Sequence, residues 1–372
     1  MKKAVSLFIC VVFFVCAFAV DADALGTSAQ AHVLMDAKSG LVLSGSNEHI
    51  KMKMASTTKI MTTLLALEEA EKKDRTVTFT SAMMAEGSSM YLKLGDRVRL
   101  SDLAAGMMMA SGNDAANAVA LTLSDSFDGF ATLMNQRAES IGMENTNFVT
   151  PSGLDDEDHY STAYDMALLM VEALKNEDFK VLSASKEKRV EFITPSDKVS
   201  LYPNHNRLLN TYKYCTGGKT GYTKAAGRCL VTTAEKDGVE LIAVTLNAPD
   251  DWSDHKSLYE YGFSLYTKVE ADDNEIYRIK VSGGNKGYVQ ASADEAADFS
   301  VPANRIKDIK KKVYLPGFVF APVNEGDIAG KIIYTLDGIE VATTYLRMNN
   351  SVKEITRPNL FVRIINVIFN RD

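Results

Sequence analysis

Near residue 270 the chain changes its hydrophobic period, and one layered core cannot serve both parts. Upstream, apolar residues recur at helical spacing between a few strand-like runs; downstream they alternate with polar ones. The length of 372 residues points the same way, because ordinary single cores stop growing well below it. Two domains are expected, over residues 25–269 and 270–356, with end segments 1–24 and 357–372 that belong to neither.

In the first part, Gln30 to Glu48 reads as a hairpin turning at Lys38-Ser39-Gly40. Thr57 to Lys72 reads as a helix, with Ile60, Met61, Leu64, Leu65 and Leu67 on its apolar stripe. Leu100 to Leu123 is helical but broken at Ser111-Gly112-Asn113, and Thr162 to Lys175 is helical again. Lys219 to Thr223 and Cys229 to Thr233 read as adjacent strands about a turn at Lys224-Ala225-Ala226-Gly227, followed by a strand over Leu241 to Leu246 and a helix over His255 to Val269. Strands at both ends with helices between them predict an α+β domain, one antiparallel sheet with flanking helices. Past residue 270, Glu275 to Val281, Lys331 to Leu336 and Ile339 to Tyr345 alternate, the last two about an Asp337-Gly338 turn, which predicts a small all-β sandwich without a catalytic constellation.

The ends address the chain. Lys2 and Lys3, the apolar run Ala4 to Val20 and the small-x-small site Ala22-Asp23-Ala24 predict a signal peptide over residues 1–24, in preference to an uncleaved anchor. Asn359 to Asp372 is amphipathic and too short to cross a bilayer, so 357–372 is expected to lie in the membrane interface. An exported chain attached to the outer face of the cytoplasmic membrane follows. The net charge of −7 argues against nucleic acid as a partner. Export leaves Cys215 and Cys229, which form either a cross-strand bridge or two free thiols; without a histidine cluster they make no case for a metal.

Three segments carry chemistry. Ser56 and Lys59 in Ser56-Thr57-Thr58-Lys59 are three apart, which on a helix stacks hydroxyl and amine on one face. A serine hydroxyl needs a base, and a lysine serves only if burial or a second cation lowers its pKa. Other Ser-x-x-Lys matches, such as Ser253/Lys256, lack the helix start and the partners downstream. In Ser111-Gly112-Asn113, Ser111 can relay a proton and Asn113 can hold Lys59 and a substrate carbonyl; alone, the triplet would be turn chemistry. Asp114 reads as a helix cap. In Lys219-Thr220-Gly221, Lys219 supplies the second cation and, with Thr220, can bind a carboxylate. Gly221 lets an extended peptide approach the strand, and the N–H groups of Ser56 and Tyr222 can form an oxyanion hole. His159 reads as structural and Met107-Met108-Met109 as core filling.

With these motifs the chain resembles the serine-type D-alanyl-D-alanine carboxypeptidases, the low-molecular-mass penicillin-binding proteins, from about Ala31 to its end. The resemblance extends to Tyr91-Leu92-Lys93-Leu94-Gly95-Asp96, Pro151-Ser152-Gly153-Leu154, His159 to Ala167, and Tyr222-Thr223 with Ala226-Gly227. It implies a penicillin-recognising catalytic domain with a helical subdomain, a β-rich C-terminal domain and an amphipathic anchor. It also implies removal of the terminal D-alanine from peptidoglycan pentapeptide stems through an ester on Ser56, with β-lactams as covalent inhibitors and no cofactor. Two departures stand out. Met54 occupies a place where relatives commonly carry proline. Asn247 to Trp252, just after the strand that ends near Leu246, holds no arginine, where some relatives use one for the substrate carboxylate, which leaves His205 or Arg207 as candidates.

Two other functions compete. A serine β-lactamase would need a glutamate to activate water, and Glu144 and Glu157 are available but lie in no recognisable loop of that kind. A non-catalytic module binding wall peptides is the third reading, against which stand the intact Ser56, Lys59 and Lys219.

Overall fold

The computed structural model describes residues 26–355, so the expected signal peptide and terminal amphipathic segment lie outside the described residues. The chain opens with strands β1 (Ala31–Asp36) and β2 (Val42–Ser46), the hairpin read from the sequence. A 3₁₀ turn, Ala55–Thr58, leads into helix α1 (Lys59–Lys72). A small ribbon of β3 (Thr76–Thr78) and β4 (Arg97–Arg99) precedes α2 (Leu100–Met109) and α3 (Asn113–Leu123). Then come α4 (Phe127–Ile141), α5 (Ala163–Ala173) and α6 (Glu177–Ala184), a second ribbon of β5 (Glu187–Glu191) and β6 (Val199–Pro203), and the single turn α7 (Leu208–Thr211). Strands β7 (Cys215–Thr223), β8 (Gly227–Lys236) and β9 (Val239–Leu246) and helix α8 (Asp251–Leu265) complete this part.

The five-stranded sheet has the order β2-β1-β9-β8-β7 and is antiparallel throughout. Strand β1 is buried along its whole length because helices cover both faces. Val33 and Met35 enter the large core shared with α1 to α6, and Leu34 points the other way, against Leu258 and Tyr259 of α8. Helix α1 threads that core with Ile60, Met61, Leu64 and Ala66 buried. Its acidic end surfaces where Arg137 of α4 bridges Glu68 and Glu172. Helix α4 was not anticipated; it buries only Phe130, Met134 and Ala138, and is framed by a Ser126 side-chain cap and a left-handed Gly142.

The change of period falls at Tyr266, because α8 runs from Asp251 to Leu265 and strand β10 (Tyr266–Glu270) follows at once. Downstream lie β11 (Tyr277–Ser282), β12 (Tyr288–Ala293), β13 (Asp298–Pro302), β14 (Lys310–Tyr314), β15 (Phe318–Phe320), β16 (Ile328–Leu336) and β17 (Ile339–Met348), with one 3₁₀ segment, Ala303–Asp308. The pair β10-β13 stands beside a six-stranded sheet of order β14-β16-β17-β12-β11-β15, and Phe299 and Val301 share a core with Ile332, Tyr334 and Leu346. Asp337 and Gly338 both take positive φ, the geometry the sequence required of that hairpin. Cys215 and Cys229 are free thiols; the register sets Ala234 opposite Cys215 and Gly221 opposite Cys229, so the two are not cross-strand neighbours.

Helix α8 is pinned by a buried polar knot. Thr232 Oγ1 on β8 lies 2.6 Å from His255 Nδ1 and 2.7 Å from the Tyr259 hydroxyl, both fully buried. Thr232→Val keeps the shape and strands both partners, so we expect a loss of about 2 kcal/mol, read as a lower midpoint in urea unfolding.

Candidate functional site

The residues singled out in the sequence converge where the edge strand β7 crosses the head of α1. Ser56 lies inside the 3₁₀ turn, and Lys59 is the first residue of α1 proper, so the pair spans a 3₁₀-to-α junction instead of lying within one regular helix. Ala55 precedes Ser56 with φ +48° and Ser111 has φ +55°, left-handed conformations that cost non-glycine residues energy and gather at functional sites. Met54, fully buried, accepts hydrogen bonds through its carbonyl from Thr57 N (3.2 Å) and Thr57 Oγ1 (2.6 Å), which ties the turn without a proline.

Lys59 is wholly buried, and its Nζ donates to Ser56 Oγ (2.9 Å), Asn113 Oδ1 (2.7 Å) and the Ser152 carbonyl (2.7 Å). None of the three acceptors is charged. Burial first, and the neighbouring Lys219 second, hold its pKa well below the ordinary lysine value, against a weaker pull from Asp114. Asn113 is fixed in turn by donating through Nδ2 to the Glu86 carbonyl (2.7 Å). Lys219 is also buried and donates to Ser111 Oγ (3.0 Å) and to the Thr220 carbonyl (2.8 Å); burial lowers its pKa to about 7.

The Ser152 carbonyl had no counterpart among the sequence expectations. Its loop is set by Gly153, which at φ +82° passes so near the Ser56 turn that a Cβ there would lie 1.9 Å from the Ala55 oxygen. His159 braces the same loop. Its Nδ1 accepts from Val149 N (2.9 Å) and Thr150 N (3.2 Å), so the proton resides on Nε2, which donates to Thr58 Oγ1 (2.8 Å). Burial keeps the ring neutral, its pKa down to about 4. Asp114 does more than cap α3: its carboxylate accepts from Met90 N, Leu92 N and Ser89 Oγ, and so fastens the 89–92 segment beside the cleft.

The cleft itself, about 310 Å³, is lined by Ser56, Ser111, Thr220, Gly221 and Tyr222, and also by Ser88 and His205. A Cβ on Gly221 would come within 3.0 Å of the backbone nitrogen of Ser56, which shows how closely β7 overlies the Ser56 turn. The Thr220 carbonyl turns away from β8 toward Lys219 Nζ; backbone groups two residues apart on a strand share a side, so the Tyr222 N–H faces the cleft as well.

Of the two carboxylate candidates, His205 reaches the cleft and Arg207 stays exposed outside its lining. The wall beyond Thr220 is instead made by Arg228, Asp251 and Trp252. Arg228 Nη2 donates to Asp251 Oδ1 (2.6 Å), while its buried Nε has no partner among the described residues. The sequence held the signal: the register pairs Arg228 with Tyr222, so the two share one face of the sheet. Glu144 and Glu157 are both exposed and outside the lining.

A hydroxyl 2.9 Å from a buried amine whose pKa is held well below the ordinary lysine value, beside an edge strand, is equipped for nucleophilic attack on an acyl carbon. Comparison with known proteins agrees. The family model described as D-alanyl-D-alanine carboxypeptidase matches residues 18–250, and that of the penicillin-binding protein 5 C-terminal domain matches 265–354. The D-alanyl-D-alanine carboxypeptidase DacC of Escherichia coli is 34% identical over 352 residues, covering 89% of this chain and 86% of its own. DacF of Bacillus subtilis is 30% identical over 341 residues, with 89% and 87% covered. The crystal structure of penicillin-binding protein 5 from Haemophilus influenzae superposes with a TM-score of 0.69 at 30% identity, covering 88% of this chain and 98% of that one. With the motifs, the fold and these likenesses in agreement, the chain belongs to the D-alanyl-D-alanine carboxypeptidase family of serine hydrolases.

Proposed function

We propose that this protein removes the terminal D-alanine from peptidoglycan pentapeptide stems through an ester on Ser56. The observation that carries the reading is the buried Lys59, with uncharged acceptors only, at 2.9 Å from Ser56 Oγ. Ser56 Oγ attacks the carbonyl carbon between the two D-alanines and passes its proton to Lys59. The developing oxyanion accepts from the N–H groups of Ser56 and Tyr222. As the C–N bond breaks, the proton held by Lys59 passes through Ser111, which Lys219 orients, to the departing amine. Water then attacks the ester as it gives a proton to Lys59, and that proton returns to Ser56 Oγ as the ester bond breaks. A β-lactam enters by the same attack, but its opened ring stays tethered to the acyl group and the ester persists.

The terminal carboxylate meets Thr220, Lys219 and, on the far wall, Arg228, which takes the part left open by the absence of an arginine just after Leu246. The alternative of a β-lactamase finds no support in the positions of Glu144 and Glu157. The chain works outside the cytoplasmic membrane, exported by residues 1–24 and held at the membrane surface through 357–372.

Three outcomes test the reading. Mature parent protein releases D-alanine from diacetyl-Lys-D-Ala-D-Ala and gains the mass of penicillin, whereas Ser56→Ala does neither; a parent that shows no adduct by intact mass defeats the proposal. Arg228→Ala raises KM for the same peptide about tenfold with a smaller change in kcat, because a charge-assisted contact to substrate is lost in ground and transition state alike. The charge state of Lys59 is open to a separate measurement. Its folded pKa lies well below the unfolded value of 10.5, so between the two values the unfolded chain binds a proton that the native one does not. Parent stability relative to Lys59→Met therefore rises with pH between pH 8 and 9, by at most about 1.4 kcal/mol per unit, in urea titrations. A flat difference means a charged amine in the native state.

A further inference from the structure

The outer face of the six-stranded C-terminal sheet has a composition that the chain's acidic balance does not foretell. Alternation along the strands sends Ile279, Val289, Ile332 and Leu346 into the core and their neighbours outward. The register places Arg278, Lys280, Lys310, Lys312 and Lys331 on that outward side, from β14 across to β11. None of the five has an ion-pair partner among the described residues. In the same rows stand Tyr288, Tyr314, Tyr345, Phe318 and Phe320, exposed by 42% to 70%. Two cations lie over aromatic rings, Arg278 at 3.7 Å from the Tyr288 centroid and Lys312 at 4.7 Å from that of Tyr314. Arg347 shares the face but is paired with Asp294. Glu340 sits on this side at the hairpin end and accepts from Thr343 Oγ1.

We propose that this sheet face docks on an anionic phospholipid bilayer. Unpaired lysines and arginines are attracted to the negative surface of such a membrane, and tyrosine and phenylalanine between them suit the headgroup boundary, where a ring can be half dry. A soluble polyanion would reward the cations alone. The point at which the described chain ends fits the same geometry. Ile355 N donates to the Gly283 carbonyl (2.8 Å) at the tip of the β11-β12 hairpin, and Phe320 pairs with the adjacent Ser282, so Ile355, the last described residue, lies at an edge of this face. The inference rests on the membrane-surface location proposed above and is independent of the peptidase chemistry.

The test uses the mature chain, with its terminal segment, sedimented with vesicles of phosphatidylcholine with and without phosphatidylglycerol. Two variants leave the cleft untouched: Lys280→Gln/Lys312→Gln/Lys331→Gln and Phe318→Ser/Phe320→Ser. Turnover of the soluble peptide confirms that each is folded. The expected result is binding that depends on phosphatidylglycerol and is weakened about tenfold or more in the triple variant, with a measurable loss in the double one. Both variants binding as tightly as the parent would assign attachment to the terminal segment alone and overturn the sheet-face proposal. A parent that ignores the anionic vesicles, or that binds a soluble glycerol-phosphate polymer in their place, overturns it too. Vesicle binding by a parent that releases no D-alanine would sink the enzyme reading and leave this one standing.

Discussion

A lysine amine buried without a carboxylate is the constraint around which the first domain is organised. Charged, Lys59 would carry an uncompensated cation into the core, at a cost no hydrogen bond to a neutral oxygen repays. Burial therefore disfavours its charged form, and its position is specified by three acceptors from three parts of the chain: the turn at Ser56, the start of α3 at Asn113 and the loop at Ser152. The nearby carboxylate of Asp114 does not quench this arrangement, because its oxygens are occupied by Ser89 Oγ and the N–H groups of Met90, Leu92 and Ala115. The placement of Lys59 beside Ser56 is thus a product of exclusion as much as of contact.

Holding that geometry requires strain, and the fold supplies the bracing. Ala55, next to Ser56, and Ser111, which lines the cleft, are both left-handed. Each is confined by neighbours that cannot give way: the loop of Gly153 is in contact with the Ala55 carbonyl, and Lys219 tethers the Ser111 hydroxyl. His159, neutral and bonded through both ring nitrogens, ties the Ser152 loop to Thr58 in the turn that holds Ser56. Its place in a conspicuous motif is explained by this bracing, without a role in proton transfer.

How much of this could be read in advance follows from how local each interaction is. The Ser56–Lys59 pair was legible because three residues of helical chain bring the two groups together whatever the rest does. The order of strands at the C-terminal edge of the first domain was legible from alternation and turn residues. Helix α4 was not, because a helix that buries three of its 15 residues shows no continuous stripe, and only its cap residues, Ser126 and Gly142, announce it. The end of α8 was misplaced by four residues, since Tyr266 to Val269 satisfy a helical pattern but pair with β13. The Ser152 carbonyl has no side-chain identity to find. Arg228 was missed for a different reason: it becomes visible only when the β7-β8 register is followed across the turn to Tyr222.

The position of β7 at the sheet edge ties fold to chemistry. An edge strand leaves a row of N–H and C=O groups unpaired, which other proteins cover or charge to avoid association. Here the bare side is roofed by the helical part of the domain, and the space between is the cleft. Gly221 adds no side chain where the strand passes the Ser56 turn, so the gap stays open to an extended backbone. On the proposed reading, a peptide entering this gap completes the sheet before it reacts. Its scissile carbonyl is then brought to the nucleophile by backbone pairing, and its terminus by Thr220 and Arg228. Recognition of the backbone and of the charged end come from one strand and its neighbour, so a shift of register in that hairpin would misplace both at once.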